Sequence, residues 1–185
     1  MKKTILILMF IAISKIYAFD NTEAILKKTK QFDFFKGSWS QKYFFSNGSD
    51  RPYAGEGSME AKLINKNYII EMDCQMPIER DIFIRKIYLG YDIITDKYYV
   101  VFLDANSTAP FYGTGIYYPD SKTYSFIGKY NESETYVVEL KVIFKIERDD
   151  KFVYSVTKID GPKEEKVLEV GNFKNEIPSK HMKKK

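Results

Sequence analysis

The residues able to perform acid–base chemistry in this sequence are mostly carboxylates, because histidine is nearly absent. The single histidine, His181, lies in a lysine-rich run at the C-terminus. Histidine-based catalytic triads, histidine metal sites and histidine-ligated haem are therefore excluded. The sequence also lacks a glycine-rich phosphate loop and a dinucleotide-binding motif. We predict no catalytic residues, no metal ion and no cofactor, and an enzyme is the least favoured class of function.

Two carboxylates alternate along one predicted strand. Glu71 and Asp73 lie two positions apart, which separates them by about 7 Å in an extended chain. A glycoside hydrolase could use such a pair. Apolar Ile70 and Met72 occupy the opposite face, however, so we favour a solvated outer surface for the two acids.

A cation lies among apolar residues in the next predicted strand. Arg85 shares one face with Phe83 and Ile87, while Lys86 lies between apolar residues on the other face. Whichever face is buried carries a charge that needs a carboxylate partner or an anionic ligand. We favour an internal ion pair over a ligand clamp.

Two further acids flank a predicted turn and its following strand. Asp92 follows Gly90 and Tyr91, and we predict that it caps the turn through its side chain. Asp104 ends the apolar strand, where a loop backbone or a ligand can meet it. Structural roles are favoured for both acids.

The chain has one cysteine, Cys74, so no intramolecular disulfide can form. Cys74 alternates with Met72 and Met76 on one face of a predicted strand. A small, apolar thiol in such a position is typical of a buried structural residue rather than a reactive one.

From residue 39 onwards, apolar and polar residues alternate in ten segments separated by short polar turns. This pattern is typical of strands with one buried and one solvated face. Short turns favour an antiparallel meander, and closure removes the exposed edges of so large a sheet. We therefore predict an all-β up-and-down barrel of about ten strands, preceded by a short helix at residues 19–31. A β-sandwich is the alternative, and Gly113 and Gly115 indicate a bulge or tight curvature in one strand.

The hairpin at residues 89–104 is the most apolar pair of predicted strands. In its second strand, alternation divides six residues between the two faces. The inward set is Tyr98, Val100 and Phe102, and the outward set is Tyr99, Val101 and Leu103. A barrel does not require so apolar an outer face, which predicts contact with a partner or a second copy.

The basic character of the chain belongs to its two ends. Residues 1–18 resemble a signal peptide, in which Lys2 and Lys3 precede an apolar run too short to span a bilayer; an uncleaved anchor is the alternative. Without the three lysines of this leader, 26 basic side chains face 25 acidic ones, and four of the 26 lie in residues 180–185. We therefore predict an exported, periplasmic or secreted protein that binds no nucleic acid and is not integral to the membrane. Its single domain spans residues 19–174, and residues 175–185 form a polar tail.

Two groups of residues resemble known families. A short helix followed by Gly37-Ser38-Trp39 and a meander resembles the lipocalin and calycin pattern. In that pattern the tryptophan closes one end of the barrel and a basic residue of the last strand packs on its ring; Lys174 is the matching position. The second group resembles a bacterial lipocalin-like family of unknown function over residues 32–174. Its residues are Gly90, Tyr91, Asp92, Tyr98, Asp104 and Gly115. The resemblance implies a fold but no activity.

A barrel of ten strands is wider than its side chains fill, which predicts an internal cavity. The first function that we predict is therefore binding of a small apolar or amphipathic molecule. The predicted lining residues are Met72, Cys74, Tyr98, Val100, Phe102, Leu140 and Phe144, and the predicted polar contacts are Arg85, Tyr91 and Asp104. The alternative is a structural or interaction protein of the cell envelope that uses the apolar outer strand face.

Overall fold

The computed structural model describes residues 22–46, 52–105, 107, 109–131, 137–160 and 164–176. The predicted signal peptide lies outside them, as does most of the predicted tail. A helical segment, α1, covers residues 22–35 and becomes a 3-10 helix over Lys30–Phe35. The strands are β1 (Gly37–Phe45), β2 (Tyr53–Ile64), β3 (Ile69–Ile78), β4 (Asp81–Asp92), β5 (Lys97–Asp104), β6 (Phe111–Tyr118), β7 (Thr123–Asn131), β8 (Val137–Arg148), β9 (Lys151–Asp160) and β10 (Glu164–Asn175). Within these residues, no helix is long and apolar enough to cross a membrane.

The ten strands form one closed antiparallel barrel. Each strand pairs with the next along the chain, and β1 also pairs with β10. At this seam Trp39 opposes Asn175, and Phe45 opposes Glu169. The predicted all-β up-and-down barrel with a short N-terminal helix is confirmed, and the alternative of a β-sandwich is wrong.

Alternation along each strand divides the barrel into a packed interior and a wetter exterior. In β5, Tyr98, Val100 and Phe102 are buried, whereas Leu103 is 43% exposed. Each large apolar side chain moved from water into this interior contributes about 1.5–3 kcal/mol to folding. The core therefore lies inside the barrel.

One end of the barrel is covered by α1. Phe35 is fully buried there against the ring of Phe152, with 5.1 Å between ring centroids. Trp39 packs edge-on against the same Phe152 ring at 4.9 Å, and its indole N–H donates to the Phe35 carbonyl at 2.8 Å. Phe32 contacts Tyr98 and Tyr124 on two further strands. We call this the covered end; the helix runs past its predicted end at residue 31 because burial of Phe32 and Phe35 extends it.

The contact predicted between Lys174 and the indole is wrong. Lys174 pairs with Ser40 in the β1–β10 ladder, on the exposed outer face, one position away from the buried Phe173. Because neighbouring residues of a strand face opposite sides, Lys174 cannot reach Trp39 inside the barrel. Among the described residues, the rings packed on Trp39 are those of Phe34 and Phe152.

The two glycines of β6 allow neighbouring strands to approach closely. The strand keeps unbroken register with β5 and β7 through Gly113 and Gly115, so the bulge suggested by these glycines is not found there. A Cβ atom added at Gly115 would lie 1.9 Å from the Ser125 carbonyl oxygen. Register shifts occur instead between Val167 and Glu169 of β10, and in the β8–β9 pair.

Candidate functional site

Arg85 lies at the centre of a buried polar cluster, which we call the Arg85 cluster (Arg85, Asp104, Tyr154 and Glu169). Arg85 on β4 directly opposes Asp104 on the neighbouring strand β5. Tyr154 and Glu169 approach from β9 and β10, on the other side of the seam. The guanidinium therefore joins two walls of the barrel that are not hydrogen-bonded neighbours.

Each guanidinium nitrogen of Arg85 donates to the protein. Nε donates to Asp104 Oδ1 at 2.5 Å and Nη2 donates to Asp104 Oδ2 at 2.9 Å, a bidentate pair. Nη1 donates to the Tyr154 hydroxyl at 2.6 Å and also to Glu169 Oε2. Planar, two-point pairing of this kind holds both groups in one geometry. The internal ion pair predicted for Arg85 is confirmed, while Lys86 faces outward and pairs with Asp73.

The acidic partners of Arg85 keep its guanidinium charged despite its burial. Burial by itself would lower the pKa of the Arg85 guanidinium, but Glu169, Tyr154 and Asp104 together raise that pKa well above its usual value. Burial also raises the pKa of the Tyr154 hydroxyl, against the opposing effect of Arg85. The guanidinium carbon lies 4.9 Å from the Phe102 ring centroid, which adds a cation–π contact. Arg85 is therefore a permanent cation that offsets part of the negative charge of Asp104 and Glu169.

A cavity of about 390 Å³ lies at the end of the barrel opposite the covered end, and we call this the open end. Its volume falls within the range of small-molecule pockets. The wall is largely apolar and aromatic. It includes Phe45, Phe102, Phe111, Leu140, Val156 and Leu168.

Polar groups of the cavity are divided between its depth and its mouth. Arg85, Asp104 and Glu169 line its inner part, where Arg85 is 6% and Glu169 is 2% exposed. Lys158 and Lys166 oppose each other across β9 and β10 and lie nearer the solvent. The cavity thus has an apolar wall, a charged inner end and a basic rim.

A register shift in β10 brings Leu168 to the cavity beside Glu169. Val167 opposes Thr157 and Glu169 opposes Val156, so Leu168 is an extra residue in the ladder. An extra residue interrupts strict alternation, which allows two consecutive side chains to line one space. Leu168 and Glu169 both line the cavity.

Four of the residues predicted to line the cavity or contact its ligand come together there. They are Arg85, Phe102, Asp104 and Leu140. The other predicted residues lie elsewhere in the barrel. Met72, Cys74, Val100 and Phe144 are buried in the core away from its lining, and Tyr91 and Tyr98 lie near the covered end.

The predicted polar contact Tyr91 and its neighbour Tyr98 belong to the region where α1 meets the barrel. The Tyr98 hydroxyl donates to the Lys28 carbonyl at 3.0 Å and accepts from Gln31. The Tyr91 hydroxyl donates to Asp96, and burial together with that carboxylate raises the pKa of Tyr91 to about 12. Both hydroxyls are thus occupied with protein partners far from the cavity.

The remaining acids named from the sequence have structural partners. Glu71 pairs with Lys62, whose hydrogen bond lowers the pKa of Glu71, and Asp73 pairs with Lys86 on the outer face of the barrel. Asp92 accepts from the Ile94 N–H at 2.9 Å and the Thr95 hydroxyl at 2.8 Å, as predicted for a turn cap. The pair Glu71 and Asp73 therefore lies outside the cavity. In the part of the chain that the structure describes, no group of three metal-ligating side chains is found.

Sequence reasoning missed two members of the cluster. Glu169 and Tyr154 were not predicted as site residues, although strand alternation counted from a nearby aromatic residue predicts an inward side chain for both. Glu169 lies four positions before Phe173 and Tyr154 lies two positions after Phe152, so each has the strand phase of a buried aromatic. A carboxylate in that phase indicates an internal charge with a partner.

The fold and the cavity define an antiparallel β-barrel protein with an internal cavity at one end. The chain matches a family model described as "Protein of unknown function (DUF1579)" over residues 26–172. It therefore belongs to this family, which agrees with the resemblance to a family of unknown function; membership of the lipocalins stays a prediction.

Among solved structures, the crystal structure of Rv2717c from M. tuberculosis is similar to this chain. The TM-score is 0.62 at 13% sequence identity, and the match covers 83% of this chain and 98% of that one. At this identity the similarity shows the fold alone. No curated protein matches the chain in sequence.

Proposed function

We propose that this protein binds a small apolar or amphipathic molecule in the cavity at the open end of the barrel. The single observation that carries the proposal is the cavity of about 390 Å³ with a mostly apolar wall and charged groups at its inner end. Apolar walls supply affinity, and a few fixed polar groups orient a ligand. The Arg85 cluster is held by its own ion pairs, so it is ordered before any ligand arrives.

A neutral fluorescent probe tests this proposal. N-phenyl-1-naphthylamine should show a saturable rise in fluorescence at one probe per protein. Leu140→Trp fills the cavity from β8 and should weaken probe binding by about tenfold or more. Glu139→Trp is the matched control, because residue 139 is the exposed neighbour on the same strand. Equal binding by wild type and Leu140→Trp would contradict the proposal, as would the absence of saturable binding.

We also propose that the protein is exported, on the strength of the signal-peptide pattern in residues 1–18. The test is fractionation of cells that express the full chain, followed by N-terminal sequencing. The expected product begins at Phe19 and is found outside the cytoplasm. A full-length cytoplasmic product would refute export. Native mass spectrometry of the exported protein can then detect a retained ligand.

An apolar outer surface supports a second candidate, which is self-association. Leu103, Ile116 and Ile127 are each more than two-fifths exposed on β5, β6 and β7. Tyr99 is only half-buried and stacks on Tyr112 of the next strand. Such a patch suits a second copy, and Tyr99, Val101 and Leu103 are the residues predicted to contact it. Sedimentation equilibrium at high concentration should show a dimer that Ile127→Glu dissociates; a wild-type monomer would exclude it.

A further inference from the structure

The inner end of the cavity offers acceptors rather than donors. Arg85 directs each of its three guanidinium nitrogens to protein oxygens, as described above. It is therefore committed to the protein and is poorly placed to clamp the carboxylate of a ligand.

Glu169 has an acceptor that the protein leaves unused. Its Oε2 accepts from Arg85, but its buried Oε1 has no hydrogen-bond partner among the described residues. Buried carboxylate oxygens are costly when unpaired, because they have lost water without gaining a donor. The same side chain is 2% exposed and lines the cavity. A donor brought in through the cavity would repair this deficit after a shift of the side chains that cover this oxygen.

The net charge of the Arg85 cluster also favours a cationic donor. One guanidinium faces two carboxylates, Asp104 and Glu169, so the formal charge is −1. Lys158 and Lys166 also line the cavity, but neither donates a hydrogen bond to Glu169 Oε1. A cationic donor would therefore be favoured at the inner end, and an anionic group would be repelled from it.

We propose that the ligand is an apolar molecule whose buried end carries a hydrogen-bond donor, best supplied by a protonated primary amine that donates to Glu169 Oε1. This inference rests on the proposed binding of a small molecule in the same cavity. It specifies the chemistry of the buried end: an amine is preferred to a hydroxyl, and a carboxylate is disfavoured.

Isothermal titration calorimetry with four probes of equal chain length tests the inference. The probes are octylamine, octanol, octanoate and trimethyloctylammonium. Octylamine should bind about tenfold more tightly than octanol, because its hydrogen bond is charge-assisted, and octanoate should bind most weakly. Trimethyloctylammonium keeps the charge but has no N–H, so it should lose most of the advantage of octylamine.

Matched variants assign the preference to one side chain. Glu169→Gln should abolish the tenfold preference for octylamine over octanol. Glu60→Gln makes the same change on the exposed surface of β2 and should bind all probes as wild type does. Fluorescence of the single tryptophan, Trp39, checks that each variant is folded. If Glu169→Gln does not fold, the order of affinities of the four probes for the wild-type protein still tests the inference.

The outcomes separate the two proposals. Binding of octanol without any advantage for octylamine would overturn this inference and leave cavity binding intact. Equal affinity for octylamine and trimethyloctylammonium would overturn it as well, because the donor would then be irrelevant. If none of the probes binds, the proposed function fails and this inference fails with it.

Discussion

Removal of the Arg85 side-chain charge should destabilise the protein strongly. Arg85→Met keeps much of the side-chain volume but leaves Asp104 and Glu169 without their cation. The side chains of Arg85 and Glu169 are 8% and 3% exposed, so water cannot take over the role of the partner. Breaking a buried pair from one side costs about 3–5 kcal/mol. For a domain of this size that loss corresponds to a fall in Tm of about 6–20 °C.

The adjacent residue provides a matched control. Lys86→Met removes a cation from the same strand, but Lys86 and its partner Asp73 are 44% and 36% exposed. Exposed pairs contribute about 1 kcal/mol at most, so the fall in Tm should stay below about 4 °C. Urea denaturation followed by fluorescence of the buried Trp39 measures the loss of unfolding free energy in both variants, and thermal denaturation measures the fall in Tm.

A second substitution should restore part of the lost stability. Adding Glu169→Gln to Arg85→Met removes one of the two uncompensated buried charges, so the double variant should be more stable than Arg85→Met alone. Similar losses from Arg85→Met and Lys86→Met, or additive losses in the double variant, would refute the reasoning.

Three further predictions concern packing and reactivity. Phe35→Ala leaves a void at the centre of the covered end and should lower the free energy of unfolding by about 3–5 kcal/mol. Leu26→Ala, on the exposed side of α1, should change it by less than about 0.5 kcal/mol. Equal stability of the two variants would contradict the role of α1 in covering the barrel. Gly115→Ala places a Cβ against the Ser125 carbonyl oxygen and should cost at least about 1–3 kcal/mol in urea denaturation, and a neutral effect would show that β6 can shift. Burial raises the pKa of the Cys74 thiol, so a disulfide reagent at mildly alkaline pH should label it only as the protein unfolds; rapid labelling of the native protein would contradict its placement.

The alternation of apolar and polar residues predicted well which side chains of a strand face the barrel interior. It carried no information about where they lie along the barrel axis. It correctly assigned Phe102 to the interior, and it predicted one buried cation on this part of β4 without deciding between Arg85 and Lys86. It assigned Tyr98 to the interior too, yet Tyr98 meets α1 at the covered end instead of the cavity. Period-two counting distinguishes inside from outside only, because every inward residue of a strand has the same phase. Which end is covered depends on where α1 packs, and that is decided by tertiary contacts.

The site itself was only half predictable for a related reason. Arg85 and Asp104 were predicted as site residues because each is a charged residue in or at the end of an apolar strand. Glu169 was missed because β10 reads as polar, with acids and lysines before the register shift at Leu168. The shift changes the phase of the strand partway along, so no single alternation describes it. The partner of Arg85 is also 84 residues away in the chain, beyond the range of local patterns.

Pairing of β1 with β10 has a consequence for how the chain reaches its final state. Closure joins strands at opposite ends of the domain, a non-local arrangement that slows folding. Until β10 is in place, β1 and β9 each present an unpaired edge capable of joining another chain. β10 also carries Glu169, so Arg85 acquires its second carboxylate only when that strand docks. Docking of β10 thus shields both edges and brings the second carboxylate to Arg85. A nascent or truncated chain without its last strand would be open to aggregation through the two unpaired edges.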